Sequence, residues 1–481
     1  MRRLSGLDAT FLWAETPTTH MHVVGVMVLD PSTAPETFTA ESVRSLIIRR
    51  LDRLPAFRRK LLPIPFNLHY PMWVEDPNLD MDYHVRRIAV AQPGGMAELA
   101  DVVGQLAGRQ LDRSRPLWEF WVVEGLEDGN VAVVAKAHHA LIDGMSSVAI
   151  LANLFDVEAD PVDIGTGRPT ILKLDRIPSA VELLARAWLD LARQPMMWMR
   201  AGERAVQSAF AVRNRLKSDE VDESVMPLSA PRVSFNRAVS AQRSTAFAEV
   251  SLSDVKRIKT ALGVTVNDAI LAICTGALRT YLAANDELPD RALVAAVPAS
   301  TRDAKGATVM GNMVSAIFAG LPVHLGDPLE QVRHIRAMTQ GGKAVHEAFG
   351  PATLQQWAEI AAPAIFSRAM RAYSSLKLAD RGPVIANTII SNVPGPNFPM
   401  FLAGARLVSF SPLGPIMDGI GLNITVFSYL DSVGFGLMAD AASMPEVARL
   451  AAAMGDATAS ILKAIAEDEQ RDAAASPALK P

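Results

Sequence analysis

The alternation of apolar and polar residues predicts strands and helices in turn along the N-terminal part of the chain. The apolar run MHVVGVMVLD at 21–30 favours a strand, and residues 40–53 repeat apolar positions at helical spacing. Residues 116–141, PLWEFWVVEGLEDGNVAVVAKAHHAL, predict two apolar strands joined by a polar turn. Beyond Gly144 the apolar positions return to helical spacing. The stretch HHALIDG therefore lies where a strand ends and a loop leads into a helix.

Two polar stretches interrupt this pattern and divide the chain. DVEADPVDIGTGRPT at 156–170 has the composition of a linker, and an amphipathic helical pattern follows it. KSDEVDESVMPLSAPR at 217–232 precedes a second mixed pattern of strands and helices. We therefore predict two α/β units with a long helical connection, followed by a polar tail that is disordered. The predicted divisions are 1–180, 181–235, 236–466 and 467–481.

Charge and cysteine content limit the classes of protein to which this chain can belong. The chain has 47 Lys and Arg against 51 Asp and Glu, a net charge of −4, so we expect no nucleic-acid partner. Its one cysteine, Cys274, excludes a disulfide framework and indicates a reducing compartment. Because Cys274 lies in an apolar helical run, we expect it in the core and not as a nucleophile. We find no signal peptide and no membrane-spanning run, and we expect a cytoplasmic protein.

HHALIDG, residues 138–144, carries the groups best suited to chemistry. A histidine is partly neutral near pH 7 and can take a proton from a hydroxyl that attacks a carbonyl. Because neighbouring side chains of a strand point to opposite faces, only one of His138 and His139 can face a given cleft. Asp143 can fold back to hold the loop, and Gly144 would let the backbone pass close by.

Structural roles for these residues remain open beside the catalytic one. The histidine pair can be structural, and His20 and His22 fit surface or core positions. A metal site built from both motif histidines and Asp143 is disfavoured, because its ligands would have to converge from opposite strand faces. The chain has no HExxH, CxxC, GxSxG or GxxxxGK[ST] motif. GFGLMA at 434–439 fits GxGxxA by letter, but it lies in a predicted hairpin and favours two glycines in an edge strand or a crowded strand.

The motif also carries a resemblance to a known family. HHALIDG fits HHxxxDG, and several further motifs follow one another in family order from residue 4 to about residue 440. They are LSGLDATFLWAE (4–15), RPLWE (115–119), TVNDAIL (265–271), VPASTR (297–302), MGNMVS (310–315), SNVPGP (391–396) and GLNITVFSY (421–429). The chain resembles the bacterial bifunctional wax ester synthase/diacylglycerol acyltransferases, particularly the actinobacterial triacylglycerol synthases. These belong to the CoA-dependent acyltransferase superfamily.

The resemblance implies a fold and a set of roles. It implies two chloramphenicol-acetyltransferase-like α/β (α+β) domains, with mixed sheets and flanking helices, packed as a pseudo-dimer around a tunnel. His139 is then the general base, while His138 supports the loop and Asp143 orients it. The resemblance also implies substrate-binding positions at Gly144, Asp268, Arg302 and Asn312.

Three positions keep an alternative beside the role that the resemblance implies. Asn267 is either a hydrogen-bond donor to the oxyanion or part of a helix start, because TVNDAIL also fits a helix N-terminus. Trp118 is expected to be a packed core aromatic more than a ligand contact. The basic partner of Asp143 is Arg59, Arg302 or another residue, and the sequence does not choose between them.

The implied reaction is direct transfer of a fatty acyl group from acyl-CoA to diacylglycerol, which forms triacylglycerol, or to a fatty alcohol, which forms a wax ester. No cofactor is expected beyond the CoA of the substrate. Alternatives are a condensation-type acyltransferase with a carrier-tethered donor or a polyketide alcohol, and a non-catalytic lipid-binding paralogue. The linker, with Trp188 and Trp198, suits either a membrane or lipid-droplet surface or packing on the protein itself. Chain length, acceptor preference and oligomeric state stay open.

Overall fold

A computed structural model describes residues 2–4, 6–142, 147–160, 178–185, 189, 230–300, 314–349 and 363–475. The strands are β1 (Arg2–Arg3), β2 (His22–Asp30), β3 (Arg59–Leu62), β4 (Met72–Glu75), β5 (Val85–Ala89), β6 (Trp118–Glu124), β7 (Val131–His138), β8 (Arg243–Ser251), β9 (Leu293–Ser300), β10 (Val314–Leu321), β11 (Thr388–Pro394), β12 (Phe401–Leu402), β13 (Ala405–Leu413), β14 (Leu422–Tyr429) and β15 (Ser432–Asp440).

The helices lie between and around these strands. They are α1 (Gly6–Ala14), α2 (Ala40–Arg50), α3 (Met81–His84), α4 (Met96–Ala107), α5 (His139–Ile142), α6 (Ser147–Leu154), α7 (Leu252–Leu262), α8 (Val266–Ala284), α9 (Pro328–Phe349), α10 (Pro363–Ser375) and α11 (Val447–Ala475). The mixed α/β character that the sequence predicts is confirmed.

The first large sheet has the strand order β12-β13-β2-β7-β6-β5. β6 and β7 form the predicted hairpin and pair antiparallel, and β2 pairs antiparallel with the other edge of β7, so that β2 and β7 are the central strands. The strands β12 and β13 come from the C-terminal half of the chain, and Leu413 of β13 pairs with Val24 of β2. The C-terminal half therefore completes the sheet that the N-terminal half begins.

The second large sheet has the strand order β10-β9-β11-β14-β15-β8. β14 and β15 form the hairpin that the sequence predicts around GFGLMA, and they pair antiparallel. A Cβ atom at Gly436 would lie 2.1 Å from the carbonyl oxygen of Pro412, so backbone of β13 passes directly over this strand. The glycine is thus required by crowding between the two sheets, which confirms the crowded-strand interpretation.

Helix α8 forms the centre of the second core. Thr265 caps its N-terminus, and the helix buries Cys274 completely, as predicted. Burial raises the pKa of the Cys274 thiol to about 12, which keeps it protonated and unreactive. Among the described residues, no single helix has the length and hydropathy of a membrane span, and only α7 and α8 taken together across their 106° bend do.

The C-terminal helix differs from the sequence-based expectation. α11 continues to Ala475, beyond residue 467, where the composition predicts a disordered tail. Its last turns contain the helix-favouring run RDAAA and an ion pair between Arg471 and Asp468, 3.4 Å apart. Local helix propensity therefore extends the helix into a polar segment whose overall composition indicated disorder.

Candidate active site

β7 ends at His138 and α5 begins at His139, so the two motif histidines lie where the strand passes into the helix, and their rings enter different environments. The backbone N–H of His138 donates to the carbonyl of Leu117 at 3.0 Å, and that of His139 donates to the carbonyl of Met21 at 2.8 Å. Ala137 and His139 line the cavity, whereas the ammonium group of Lys136 contacts Glu119 and the ring of His138 contacts Glu15. The backbone on both sides therefore fixes which ring faces which environment.

His139 lies on the wall of a cavity, partly exposed to it. Its ring stacks on Phe11 of α1, with the ring centroids 4.1 Å apart. Its Nδ1 is buried and has no hydrogen-bond partner within the described part of the chain. Burial first, and the neighbouring His138 second, lower the pKa of His139 to about 4. The imidazole is therefore neutral near pH 7 and can accept a proton.

This lowered pKa predicts the acid side of a pH profile. Because the base form of His139 persists down to about pH 4, we expect kcat/KM to stay level through pH 6.5 and to fall only near pH 4. Initial rates across this range measure it, with samples returned to neutral pH to control for inactivation. A midpoint close to pH 6.5 would contradict the assignment of His139 as a desolvated base.

His138 belongs to a buried polar cluster behind the cavity wall. Its Nδ1 accepts a hydrogen bond from the N–H of Ala140 at 3.1 Å, which assigns the ring proton to Nε2. That Nε2 lies 3.4 Å from Oε2 of Glu15, and Arg113 donates to the same oxygen from Nε at 3.0 Å. Burial alone would raise the pKa of Glu15, but His138 and Arg113 outweigh it and lower the pKa to about 2.

The cluster connects helix α1 to the end of β7. Glu15 directly follows α1, and Arg113 also donates to the carbonyl of Leu12 in that helix at 2.7 Å. The same helix carries Phe11, which stacks on His139. These contacts connect His138 to the helix whose Phe11 stacks on His139, and the role of His138 in supporting the loop stays a prediction.

Removing the Glu15 carboxylate should destabilise the protein. For Glu15→Gln we expect the free energy of unfolding at pH 7 to fall by about 1–3 kcal/mol, because Arg113 and His138 lose a buried anionic partner. The native pKa lies below the unfolded value of 4.5, so this contribution is present above pH 4.5 and disappears as pH falls towards 2. Urea unfolding at several pH values measures it.

The surface variant Glu41→Gln is the matched control for Glu15→Gln. Glu41 pairs with Arg44 on the exposed side of α2, so its loss should change the free energy of unfolding little at any pH. A difference between wild type and Glu15→Gln that does not shrink with falling pH would contradict the paired carboxylate.

The cavity lies between the two large sheets and has a volume of about 560 Å³. That size falls in the range of small-molecule sites and, with mostly apolar walls, suits a hydrocarbon chain. Both halves of the chain line it: Met21, Val23, Gly25, Phe120, Ala135 and Ala137 from the N-terminal half, and Ile389, Val393, Phe410 and Phe427 from the C-terminal half. The small side chains on β2 and β7 leave the space that the acyl chain of the substrate would occupy.

A few polar side chains interrupt the apolar wall on β11 and β14. Ser391 and Thr425 are paired positions of these parallel strands, and Thr425 donates to Asn423 Oδ1 at 2.8 Å. These residues lie within the motifs SNVPGP and GLNITVFSY, which by themselves predicted no role for them. Their alternation with apolar residues along β14 is the signal that could have placed them on one face.

Two other predicted site residues lie at the start of α8. Asp268 accepts from the N–H of Thr265 at 2.9 Å through one oxygen and from the hydroxyl of Thr339 at 2.9 Å through the other. This carboxylate therefore joins α8 to α9, and its substrate-binding role stays a prediction. Asn267 is partly buried in the first turn and does not line the cavity, so its role as an oxyanion donor also stays a prediction.

The remaining predicted positions are placed only in part. Asp143, Gly144, Arg302 and Asn312 lie outside the described residues. Arg59, one candidate partner of Asp143, lies in β3 with its Nε 3.3 Å from Glu75.

Trp118 is a buried core aromatic, as predicted. Its indole N–H donates to the carbonyl of Phe57 at 2.8 Å, and its ring stacks on His84. It also forms part of the cavity wall.

Comparison with a solved structure identifies the fold. The starter condensation domain of rhizomide synthetase, solved with C8-CoA, is 12% identical, has a TM-score of 0.51 and covers 92% of this chain and 89% of its own. At this identity the match shows a shared fold. This chain therefore shares the fold of that condensation domain, and in it two mixed sheets enclose a cavity that the motif histidine His139 lines.

Comparison with family models identifies the family to which the chain belongs. The model for the wax ester synthase/diacylglycerol acyltransferase catalytic domain matches residues 4–270, and the model for the C-terminal domain of that family matches residues 310–462. This chain belongs to the wax ester synthase/diacylglycerol acyltransferase family, as the resemblance predicted.

Individual relatives agree with the family match. A protein of Mycobacterium tuberculosis that carries the provisional name diacylglycerol O-acyltransferase is 36% identical over 93% of this chain and 87% of its own length. The structure of the wax ester synthase/diacylglycerol acyltransferase from Marinobacter aquaeolei VT8 is 28% identical, has a TM-score of 0.67 and covers 96% of this chain and 99% of its own.

Proposed function

We propose that this protein transfers a fatty acyl group from acyl-CoA to the free hydroxyl of diacylglycerol and so forms triacylglycerol. The observation that carries the proposal is the neutral ring of His139 on the wall of an apolar cavity between the two sheets. The same site would accept a long-chain alcohol and form a wax ester. The family membership of the chain and the provisional names of its relatives support this reaction.

The reaction proceeds by direct transfer. The acceptor hydroxyl attacks the thioester carbonyl while the imidazole of His139 takes its proton. The new C–O bond gives a tetrahedral oxyanion, the C–S bond then breaks, and the proton on His139 passes to the sulfur of the departing CoA. No acyl-enzyme is needed, which agrees with Cys274 being sealed in the core. Asn267 stays the predicted donor to the oxyanion, and because it does not line the cavity, the bound substrate would have to bring the oxyanion to it.

The apolar cavity also protects the thioester. Water competes with the acceptor hydroxyl for the same carbonyl, and an apolar wall on both sides of the reacting atoms excludes it. The polar groups of Ser391 and Asn423 provide hydrogen-bonding partners for ester and hydroxyl oxygens inside this wall.

The test is a direct assay of both acceptors. Purified protein is incubated with radiolabelled palmitoyl-CoA and either diacylglycerol or hexadecanol, and the neutral lipids are separated. Labelled triacylglycerol or wax ester is the expected product. The absence of product with both acceptors, from a protein that is folded by circular dichroism, would overturn the proposal. Formation of product only from a carrier-bound donor would favour a condensation-type activity, for which the fold is the only present support.

We also propose that the protein works at a lipid surface, because diacylglycerol and long-chain alcohols reside in membranes and lipid droplets. The predicted linker tryptophans, Trp188 and Trp198, lie outside the described residues. Vesicle flotation of the variant with both tryptophans changed to Glu tests their contribution to membrane binding. Unchanged flotation of a folded variant would show that the two tryptophans do not contribute.

A further inference from the structure

A single aromatic side chain projects from the short turn between β3 and β4. Phe66, in the turn Pro65–Asn67, is 81% exposed. Its backbone has φ 59° and ψ 13°, in the left-handed region that bulky residues rarely adopt. A residue that is both strained and apolar in water costs stability, so a purely structural role does not explain it.

The protein holds this turn firmly on both sides. Ile64 is buried and packs with Leu183, and Tyr70 stacks on Trp13 with the ring centroids 5.1 Å apart. The ring of Phe66 is therefore presented outward from an anchored loop and is not the end of a loose segment.

The same turn contacts helix α10, whose inner face closes the cavity. Met370 and Tyr373 of this helix line the cavity, and the hydroxyl of Ser374 lies 3.1 Å from that of Thr18. The outer face is basic, because Arg368 and Arg371 are exposed and lie one helical turn apart. One thin layer, a single helix, therefore separates solvent from the cavity.

Exposed apolar residues continue past the end of α10. Leu376 is 68% exposed and Leu378 is 42% exposed, with exposed Lys377 between them. The nearby acidic Asp380 accepts from the N–H of Ala238 at 2.7 Å. Apolar side chains next to outward cations are the combination that binds the surface of an anionic membrane.

We propose that these residues form a docking surface for a lipid layer with anionic headgroups. The α10 surface comprises Phe66, Arg368, Arg371, Leu376, Lys377 and Leu378. The apolar side chains insert between the acyl chains, and the cations contact the phosphates. The inference rests on the proposed function, since docking here brings a lipid-dissolved acceptor within one helix of the cavity that His139 faces.

Vesicle flotation tests the surface without reference to catalysis. Two variants are compared with wild type on vesicles of phosphatidylcholine with phosphatidylglycerol: Phe66→Gly, and the double variant Arg368→Glu/Arg371→Glu. We expect each to lower the partition onto vesicles by about tenfold or more. Vesicles of phosphatidylcholine alone should bind wild type more weakly. The matched controls are Phe398→Gly for the exposed aromatic and Arg257→Glu/Lys463→Glu for the cations, and both should float like wild type.

Phe66→Gly carries a second readout. Glycine adopts a positive φ without strain, so we expect Tm to rise or stay level while vesicle binding falls. A merely structural phenylalanine would instead lower Tm when removed. Wild-type flotation by both α10-surface variants, or equal loss by the controls, would overturn the proposal.

Activity assays with two acceptors distinguish a docking role of the α10 surface from a role in the active site. With diacylglycerol in anionic vesicles, we expect both variants to lose activity in parallel with binding, whereas with a short water-soluble alcohol they should act like wild type. Equal loss on both acceptors would place the residues in the folding of the catalytic unit and overturn the docking role. If wild type transfers no acyl group at all, the proposed function fails while flotation still decides the docking surface.

Discussion

Replacement of His139 by Ala should lower kcat for acyl transfer by about 10²–10⁴, the usual contribution of a positioned general base. The ring lies on the cavity wall and is neutral near pH 7, so it is the group available to take the acceptor proton. The KM for acyl-CoA should change much less, because the acyl chain of this substrate is held mainly by the apolar wall of the cavity. Steady-state kinetics with palmitoyl-CoA and either acceptor measure both constants.

A second histidine serves as the control for this experiment. His324→Ala changes a partly exposed histidine in the loop after β10, away from the cavity wall, and should leave kcat unchanged. Folding of both variants is checked by circular dichroism. Wild-type turnover by His139→Ala would refute the assignment of His139 as the base, and another group on the cavity wall would have to accept the proton.

Replacement of Gly25 by Val should shift acyl-CoA selectivity towards short chains. A Cβ atom at this position would lie 2.9 Å from Cε2 of Phe410, which itself lines the cavity. Valine must either fill the space in front of that ring or push the ring into the cavity, and both reduce the volume of about 560 Å³. We expect the ratio of kcat/KM for palmitoyl-CoA to that for a short acyl-CoA to fall by about tenfold or more.

The control for Gly25→Val is Gly326→Val. The nearest atom to a Cβ there is Arg279 Nη2 at 3.7 Å, an ordinary contact with the end of a flexible side chain. This variant should keep the wild-type ratio. An equal loss at all chain lengths for Gly25→Val would indicate general damage to the sheet, and an unchanged ratio would show that the acyl chain binds elsewhere.

The elements that depend on local pattern were predictable from the sequence. The β6–β7 hairpin and the hairpin around GFGLMA follow from strand-length apolar runs joined by polar turns. The position of HHALIDG at the end of a strand and the start of a helix follows from the change of apolar spacing along this segment. These features involve residues close together in sequence, so periodicity and turn chemistry determine them.

Features that depend on distant pairing were not predictable in this way. Nothing local to β13 shows that it joins β2, a pairing that links Leu413 with Val24. Likewise Glu15 and His138 meet only because α1 packs against the end of β7. The position of Ser391 on the cavity wall requires knowing which sheet faces which. Each depends on tertiary packing, which outweighs local preference.

The strand exchange at β13 has a consequence for how lipid reaches His139. The backbone hydrogen bonds between β13 and β2 join the two halves of the chain within one sheet. Separating the two strands would break several of these hydrogen bonds at once. A hinge-like separation of the two halves would therefore require part of the β13–β2 ladder to break. We therefore expect substrates to reach His139 between the side chains at the edge of the cavity, without separation of the β13–β2 pair.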